Sequence, residues 1–449
     1  MKKIFRSLSL LLLGGLLLTA ARCSSPINPG TDKVTPTPIT KEPITLEYWR
    51  LWDDSNTFDE YIKAYQDEHP NISIEVKKIE IRPNYDTYNY QRDVIKAIAD
   101  GEGPDMFMIH NTWLPYQVNQ ISPMPNGTMT LRQYKDIFPK VVQQDFVSND
   151  KIYGIPYGID NLILYYNTDI FSEKKIKTPP KTLQELVDLV PKLTEKDSRG
   201  RIIRSAIPLG GSEGIPRASD IVATLMMQYG IDMTSADHKT ATFNLPVPGS
   251  QPPVLGGQEA LSYYTQFANP ASSVYTYTDE KDASGNRLFP SDVQAFMEGK
   301  TAMMFNYSYQ IKNIRKFAPK LKFETTVLPQ NQLQNPVTIA NYWGETVSKN
   351  SKHPNEAWDF INYMIKRSSQ STFTRTTGYV SARKDLLDTI SGRRHYGAVA
   401  SQIPYSQTWY RKNTAEVEAI FIKMINSVVR NNLSPSIAID SAIRDINLL

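Results

Sequence analysis

The first folded segment of the chain alternates apolar and polar residues, and this pattern predicts a β-strand over Ile44–Arg50. A T-x-x-E capping box at Thr57–Glu60 then opens a helix that carries Phe58, Ile62 and Tyr65 on one face. The pattern continues with a strand over Ile72–Val76, a helix over about Tyr90–Ala99 and a strand over Met106–Ile109. This β-α-β-α-β order predicts a parallel sheet covered by helices.

The stretch Lys151–Phe171 predicts a tight turn, a polar pivot and a buried strand in succession. Gly154 and Pro156 exclude a helix at its start. The apolar run Leu162–Tyr166 has the length and bulk of a strand that is covered on both faces.

The later part of the chain also predicts helices and strands in turn. The predicted elements are a helix behind the capping box Thr182–Glu185, a strand over Ala206–Leu209, a helix over Ser219–Tyr229, a surface loop over Phe243–Gly257, a helix, glycine turn and strand within Asp292–Phe305, a strand over Phe323–Leu328 and a helix that starts at Pro354.

Several of these segments, taken in order, resemble the family 1 extracellular solute-binding proteins of ABC importers, the broad family that includes maltose-binding protein. The segments are G-P-D before the Met106 strand, K-I-Y-G-I-P-Y-G-I-D-N-L-I-L-Y-Y-N-T-D-I-F, D-V-Q-A-F-M-E-G-K-T-A-M-M-F, the stretch that begins N-Y-W-G-E at Asn341, and G-Y-V-S-A-R at Gly378. The resemblance covers nearly all of Ile44–Leu449.

The resemblance implies an α/β, two-lobed periplasmic-binding-protein-like fold of class II. Each lobe would hold a mostly parallel sheet flanked by helices, and several crossings would join the lobes as a hinge. Lobe 1 would comprise residues 44–158 plus 329–365, and lobe 2 residues 159–328 plus 366–449. The interleaving comes from the resemblance, since the sequence alone would also permit two contiguous halves.

Composition agrees with a soluble protein of two or more domains, because 449 residues exceed one ordinary core. The net charge of +4 is small, and the basic residues are scattered rather than gathered in a stripe with aromatics, so nucleic acid is not an expected partner. The five histidines are also scattered and form no H-x-x-x-H pair, so neither a metal nor another cofactor is predicted.

The N-terminus predicts export. Lys2, Lys3 and Arg6 form a basic region before an apolar run, Leu8–Leu18, which is too short to span a bilayer. Cys23, the only cysteine, follows directly and resembles the lipidated first residue of a bacterial lipoprotein. Residues 1–23 are thus predicted as a signal segment with a lipid anchor at Cys23.

Arg22 occupies the lipobox position where a small residue is expected, so simple signal-peptidase cleavage after Ala21 remains the alternative. Residues 24–43 are polar and rich in Pro and Thr, which predicts an extended tether. The protein is expected at the cell surface or in the periplasm, as a monomer.

Candidate ligand contacts follow the ends of predicted strands, because parallel strands direct their carboxyl-terminal loops towards the ligand crevice. Trp49, Trp52 and Asp53 come at the end of the first strand, and Asn111 and Trp113 follow the Met106 strand. Tryptophan rings can stack on sugar rings, and carboxylates accept hydrogen bonds from hydroxyls. The alternative is that Trp49 packs under a helix and the aspartates cap the next helix.

The resemblance adds further site residues. It places Tyr157 and Asp160 at the hinge and ligand cleft together, Tyr307 and Tyr309 on an aromatic platform, and Trp343 in a loop that approaches the cleft. The implied function is capture of a solute, a mono- or oligosaccharide, and its delivery to the permease subunits of an ABC transporter by hinge closure.

Three other functions are weighed against this prediction. Gly210–Gly214 fits the G-x-S-x-G motif of hydrolases, but Pro216 interrupts the helix that should follow. Asp53 with Asp160 could supply the two carboxylates of a secreted glycoside hydrolase. A non-transport adhesin or scaffold would keep the fold without ligand-linked closure. No catalytic activity is predicted.

Overall fold

The computed structural model describes residues 42–52, 57–83 and 85–449. Its strands, numbered in chain order, are β1 Ile44–Leu51, β2 Ile72–Ile79, β3 Met106–His110, β4 Ile121–Ser122, β5 Val147–Ser148, β6 Lys151–Ile152, β7 Ile155–Pro156, β8 Asp160–Asn161, β9 Ile163–Asn167, β10 Glu195–Lys196, β11 Ile202–Arg204, β12 Met303–Asn306, β13 Phe323–Thr326, β14 Thr338–Asn341, β15 Trp343–Ser348 and β16 Ser406–Gln407.

The α-helices are α1 Thr57–Glu68, α2 Thr87–Asp100, α3 Leu114–Gln117, α4 Leu131–Ile137, α5 Lys140–Phe146, α6 Thr168–Glu173, α7 Leu183–Leu193, α8 Ala218–Gln228, α9 Gly256–Thr265, α10 Asp292–Met297, α11 Gln310–Phe317, α12 Pro354–Met364, α13 Arg367–Thr377, α14 Lys384–Ser391, α15 Gly397–Gln402, α16 Thr414–Val429 and α17 Pro435–Asn447. Among the helices of the described residues, none has an apolar stretch long enough to cross a bilayer.

The first sheet has the strand order β2-β1-β3-β15-β4, and β7 pairs with β15. Strands β1, β2 and β3 are parallel, with Tyr48 opposite both Val76 and Met106. Strand β15 runs antiparallel to β3 and brings Trp343 opposite His110. The parallel β-α-β-α-β unit predicted from the alternating pattern is confirmed.

Helices from distant parts of the chain cover this sheet. The hydroxyl of Tyr61 in α1 donates to the carbonyl of Ser369 in α13 at 2.7 Å. Lys384 Nζ in α14 donates to the carbonyl of Lys135 in α4 at 2.9 Å. Thus α13 and α14, which the interleaved division assigns to lobe 2, pack on helices of the first sheet.

The second sheet has the order β12-β9-β13. Alternate residues of the buried strand enter two different cores: Leu162 and Leu164 belong to one, whereas Ile163 and Tyr165 belong to the other. The prediction of a strand covered on both faces is confirmed. The prediction of mostly parallel strands does not hold for this sheet, since β12 and β13 both run antiparallel to β9. The hydrophobic pattern of a strand indicates its burial. Whether the strand runs parallel or antiparallel to its neighbour depends on the chain segments that connect them.

The predicted strand Ala206–Leu209 is wrong. These residues are buried, but backbone pairing is limited to an isolated bridge between the preceding Ser205 and Thr301 and one hydrogen bond from the Met303 amide to the Ala206 carbonyl. The amide of Ala206 donates instead to the hydroxyl of Thr276 at 2.7 Å. A side chain therefore satisfies the backbone where a neighbouring strand would otherwise do so.

A small sheet of order β16-β14-β8 lies where the chain passes between the two cores. Strand β8 pairs with β14 through Asn161 opposite Ala340, and β14 pairs with β16 through Thr338 opposite Ser406. Gln402 links these crossings, because its Nε2 donates to Asn161 Oδ1 and to the carbonyl of Leu162, both at 2.8 Å. We refer to these three strands as the hinge sheet.

Candidate functional site

Three tryptophans meet at the edge of the first sheet. The ring of Trp343 contacts Trp52 at 5.1 Å and Trp113 at 4.8 Å between centroids, both edge to face. His110 joins them, 5.1 Å from Trp343. We call Trp52, Trp113, Trp343 and His110 the aromatic cluster. Of the four, Trp52 is the exposed member, and its ring can stack on a flat partner.

The topology explains why these residues meet. Strands β1 and β3 are parallel and end at the same edge, whereas antiparallel β15 begins there. Trp52 directly follows β1 and has φ 51°, a left-handed conformation that is uncommon for a bulky residue. Its side chain remains 45% exposed, while Trp113 is buried. The cluster is thus anchored in the core and open at one end.

His110 is held as a neutral ring. Its Nδ1 lies 2.8 Å from Thr112 Oγ1, and its Nε2 lies 3.3 Å from Asn341 Oδ1. Burial, followed by the positive charge of Arg411, lowers the pKa of His110 to about 3. The imidazole therefore adds polar contacts to the cluster without adding charge at neutral pH.

Tyr307 and Tyr309 lie on the side of the second core. Their rings stack with centroids 6.2 Å apart. The carboxylate of Asp160 in the hinge sheet accepts hydrogen bonds from the amides of Ser308 at 3.0 Å and Tyr309 at 3.3 Å. Burial raises the pKa of Asp160 to about 7, and those amide donors moderate the increase. Asp160 thereby couples the hinge sheet to the tyrosine pair.

Two arginines and two carboxylates form a charged group beside the tyrosine pair. Arg217 Nη1 is 3.7 Å from Asp220 Oδ2, and Arg411 Nη1 is 3.6 Å from Asp220 Oδ1 and 3.8 Å from Glu418 Oε1. The hydroxyl of Tyr307 donates to Asp220 Oδ2 at 2.9 Å. Arg411, Asp220 and Arg217 all act on the pKa of His110, so the charged group lies within electrostatic range of the aromatic cluster.

Asn111 takes part in a separate polar group. Its Nδ2 donates to Asp145 Oδ2 at 3.1 Å, and the hydroxyls of Tyr342 and Thr408 donate to the same carboxylate. Burial raises the pKa of Asp145 to about 6. This group borders a groove of about 780 Å³ whose lining also includes Lys140 and Tyr410.

The structure places two predicted site residues in other surroundings. Trp49 donates from Nε1 to Glu47 Oε1 at 2.6 Å, and the amine of Lys77 covers its ring. Tyr157 packs against Phe58 and Phe373 in the core of the first sheet. Asp53, like Cys23 and the rest of the predicted signal segment and most of the tether, lies outside the described residues.

The sequence prediction omitted Arg217, Asp220 and Arg411. A usable signal exists for the first two, because they stand at the start of α8, every residue of which is buried. Charged groups on such a helix must meet partners or a ligand. Arg411 follows Trp409 and Tyr410 after the last crossing, but its approach to Asp220 depends on how α16 packs on α8.

The G-x-S-x-G segment has no catalytic surroundings. Ser212 Oγ donates to Asn426 Oδ1 at 2.8 Å, and its amide donates to Asp279 Oδ2 at 2.9 Å. Asp279 also accepts from the amide of Glu213 at 3.1 Å, so the segment is a loop held by one carboxylate. Within the described part of the chain, no group of three His, Cys, Asp or Glu side chains could hold a metal ion.

Comparison with known proteins agrees with this architecture. Residues 60–395 match the family described as bacterial extracellular solute-binding protein. An uncharacterised ABC transporter extracellular-binding protein of Pyrococcus horikoshii is 22% identical over 389 residues, 84% of this chain and 80% of the relative. A multiple sugar-binding protein of Streptococcus mutans is 24% identical over 368 residues, 78% of this chain and 77% of the relative.

Among solved structures, the cyclic α-maltosyl-1,6-maltose binding protein of Arthrobacter globiformis superposes with a TM-score of 0.71 at 18% identity, covering 90% of this chain and 98% of that one. The fold is therefore the two-lobed α/β architecture of solute-binding proteins, as predicted. The chain belongs to the bacterial extracellular solute-binding protein family. It is an exported binding protein rather than an enzyme, which confirms that prediction.

Proposed function

We propose that this protein captures a carbohydrate between its two lobes and delivers it to the permease of an ABC importer. The observation that carries the proposal is the aromatic cluster, in which a half-exposed Trp52 ring contacts partly buried Trp343, which in turn contacts buried Trp113. Flat amphipathic rings stack on the C–H faces of sugars, and adjacent polar groups bind hydroxyls. The names of the Streptococcus mutans and Arthrobacter globiformis relatives support a sugar ligand.

The proposed site combines residues of both lobes. We assign Trp52, Trp113 and Trp343 to its floor on the first sheet, and Tyr309, partly exposed beside buried Tyr307, to the side of the second core. Asp53, Asn111, Tyr157, Asp160 and Trp49 remain predictions as ligand contacts. Their present neighbours favour a supporting role for Asp160, which holds the Ser308–Tyr309 backbone, and for Tyr157, which packs among phenylalanines.

Transport requires that ligand binding favour the closed arrangement of the lobes. A solute that contacts both lobes shifts the equilibrium only by its greater affinity for the closed state. The hinge sheet supplies the crossings about which such closure occurs. The permease would then recognise the closed pair of lobes, with the protein acting as a monomer tethered through lipid at Cys23.

Isothermal calorimetry of the purified protein against mono- and oligosaccharides, polyols and peptides tests the ligand class. We expect binding to one or more saccharides, together with a rise in melting temperature at saturating ligand. Exclusive binding of a peptide or polyol would contradict the proposal.

Cell fractionation tests the lipid anchor. Cys23→Ser should move the protein from the membrane to the soluble exported fraction. A soluble wild-type protein beginning at Arg22 would instead show cleavage after Ala21.

A further inference from the structure

The side chains of Arg217 and Arg411, which we call the arginine pair, have unused hydrogen-bonding capacity. Their ion-pair distances of 3.6 to 3.8 Å to Asp220 and Glu418 exceed the roughly 2.7–2.9 Å of a charge-assisted hydrogen bond. Asp220 Oδ2 already accepts the hydroxyl of Tyr307. The carboxylates therefore orient the guanidinium groups without saturating their N–H donors.

The buried Nε atoms of the arginine pair also lack hydrogen-bond partners. Among the described residues, neither Arg217 Nε nor Arg411 Nε has a hydrogen-bond partner, although both atoms are buried. The Arg411 side chain is only 5% exposed, whereas that of Arg217 is 31% exposed. Buried donors are normally satisfied, so these groups call for a polar partner. The partial exposure of Arg217 means that a ligand can reach the arginine pair from solvent.

Burial acts on the carboxyl groups around the arginine pair. Burial, followed by the charge of Asp220, raises the pKa of Glu418. Burial also raises the pKa of Asp292, near Arg217, to about 7. His110 is neutral, as argued above. The two guanidinium groups therefore lie near carboxyl groups whose charged forms burial disfavours, and each keeps a buried Nε without a partner, an arrangement that suits one further anionic group.

We propose that the solute is an acidic saccharide, and that the arginine pair binds its carboxylate while a sugar ring stacks on the aromatic cluster. The proposal rests on the proposed function and adds the chemical class of the ligand. Guanidinium groups present rigid forks of donors that match a carboxylate with two parallel hydrogen bonds. The nearby aromatic cluster and the stacked tyrosines would hold the remainder of a uronic-acid oligosaccharide.

Matched sugars test the charge directly. Digalacturonate is compared with its neutral counterpart galactobiose, and a glucuronate-containing disaccharide with cellobiose, by calorimetry at neutral pH. We expect an acidic sugar to bind at least about tenfold more tightly than its neutral partner. This preference should decrease as salt is raised, because part of it is electrostatic.

Three variants assign the effect to the pair. Arg411→Gln and Arg217→Gln should each weaken acidic-sugar binding at least about tenfold and change neutral-sugar binding far less. Arg394→Gln makes the same substitution in an exposed ion pair with Glu324 and should bind like wild type. If Arg411→Gln does not fold, as judged by circular dichroism, the more exposed Arg217→Gln keeps the test intact.

The outcomes separate the two proposals. Equal or tighter binding of the neutral sugars overturns the acidic-ligand proposal and leaves sugar binding in place. Failure of all acidic probes to bind also overturns it, and failure of every saccharide overturns the proposed function as well. Normal acidic-sugar affinity in both arginine variants overturns the assignment to Arg217 and Arg411.

Discussion

Trp52 combines a half-exposed ring with a left-handed backbone at φ 51°. A bulky residue in that conformation costs free energy, and such costs concentrate at functional positions. Its ring contacts Trp343 edge to face and is otherwise largely open to solvent. Residues of this kind contribute to ligand binding more than to folding.

Trp52→Ala should therefore weaken saccharide binding by about 2 kcal/mol, roughly 30-fold in Kd, because it removes a stacking surface. The free energy of unfolding should change by less than about 1 kcal/mol, since much of the ring is already exposed. Calorimetry and urea denaturation measure the two effects. Phe317→Ala, at a ring that is 66% exposed on α11, is the control and should leave binding unchanged. Normal affinity combined with a large loss of stability would identify Trp52 as a packing residue.

The raised pKa of Asp160 should make the free energy of unfolding depend on pH. Its folded pKa of about 7 lies above the ordinary value of 3.8, so the folded state binds the proton more tightly. The stabilisation from this group is present below pH 4 and disappears as the pH rises to about 7. The full difference is at most about 4 kcal/mol, from 1.36 kcal/mol per pH unit.

Asp160→Asn should remove that dependence, so the stability of wild type relative to the variant decreases from pH 4 to pH 8. Urea denaturation across this range measures the difference. Asp169→Asn, at an exposed carboxylate that pairs with Lys322, is the control and should track wild type. Parallel pH profiles for wild type and Asp160→Asn would show that the carboxyl titrates normally.

Sequence reasoning located the aromatic part of the site better than the charged part. Trp52 and Trp113 were found because each follows a strand of a predicted parallel sheet, and strand ends converge by a general rule. Arg217 and Arg411 are separated by 194 positions in their numbering. Their proximity depends on the packing of α8 against α16, which a local pattern does not encode.

At the scale of elements, periodicity identified strands and helices where one face is clearly apolar. Strand β1 and helix α2 occur close to their predicted positions, and Thr182 caps α7 as expected by accepting from the amide of Glu185 at 3.1 Å. Failures arose where tertiary contacts replaced local rules. The run Ala206–Leu209 is apolar, yet it forms no strand. The amide of Ala206 donates its hydrogen bond to the hydroxyl of Thr276 instead of to a neighbouring strand.

The hinge sheet depends on one buried amide. Gln402 is fully buried; its Nε2 donates to Asn161 and Leu162, and its Oε1 accepts from the amide of Leu328 at 2.7 Å. Segments from three crossings thus share one side chain. Its loss would leave several buried polar groups unsatisfied, each costing about 1–3 kcal/mol.

Gln402→Ala should destabilise the protein by about 3 kcal/mol or more in urea denaturation. The buried groups that bond to Gln402 would lose their partner, and water does not reach them to replace it. The neighbouring Ser401→Ala is the control, since Ser401 is exposed and its hydroxyl only bonds back to Gly397 in the same helix. A change below 1 kcal/mol for Gln402→Ala would mean that the crossings are held independently of this amide.

At the scale of the molecule, the two lobes approach each other at a pair of threonines. Thr112 follows β3 of the first sheet, and Thr414 begins α16, whose residues Val417 and Phe421 lie in the second core. Their hydroxyl oxygens are 3.5 Å apart. Thr112 also contacts His110 of the aromatic cluster, so this approach borders the proposed ligand site.

A disulfide at this point should control access to the site. The two hydroxyl oxygens lie 3.5 Å apart, so the side chains point towards each other, as a disulfide at these positions requires. Cys23 is the only cysteine, so Thr112→Cys/Thr414→Cys in a Cys23→Ser background forms one defined pair. Oxidation after saccharide is bound should slow its release at least about tenfold, because opening of the lobes is blocked.

Stopped-flow fluorescence of the tryptophans measures release and entry in the oxidised and reduced forms. Oxidation before saccharide is added should slow entry by a similar factor, and reduction should restore wild-type rates. Thr112→Ser/Thr414→Ser in the same background is the matched control and should behave as wild type under both conditions. Complete cross-linking with unchanged rates would show that ligand enters without separation of these two segments, and hinge closure would then not be the step that commits the solute.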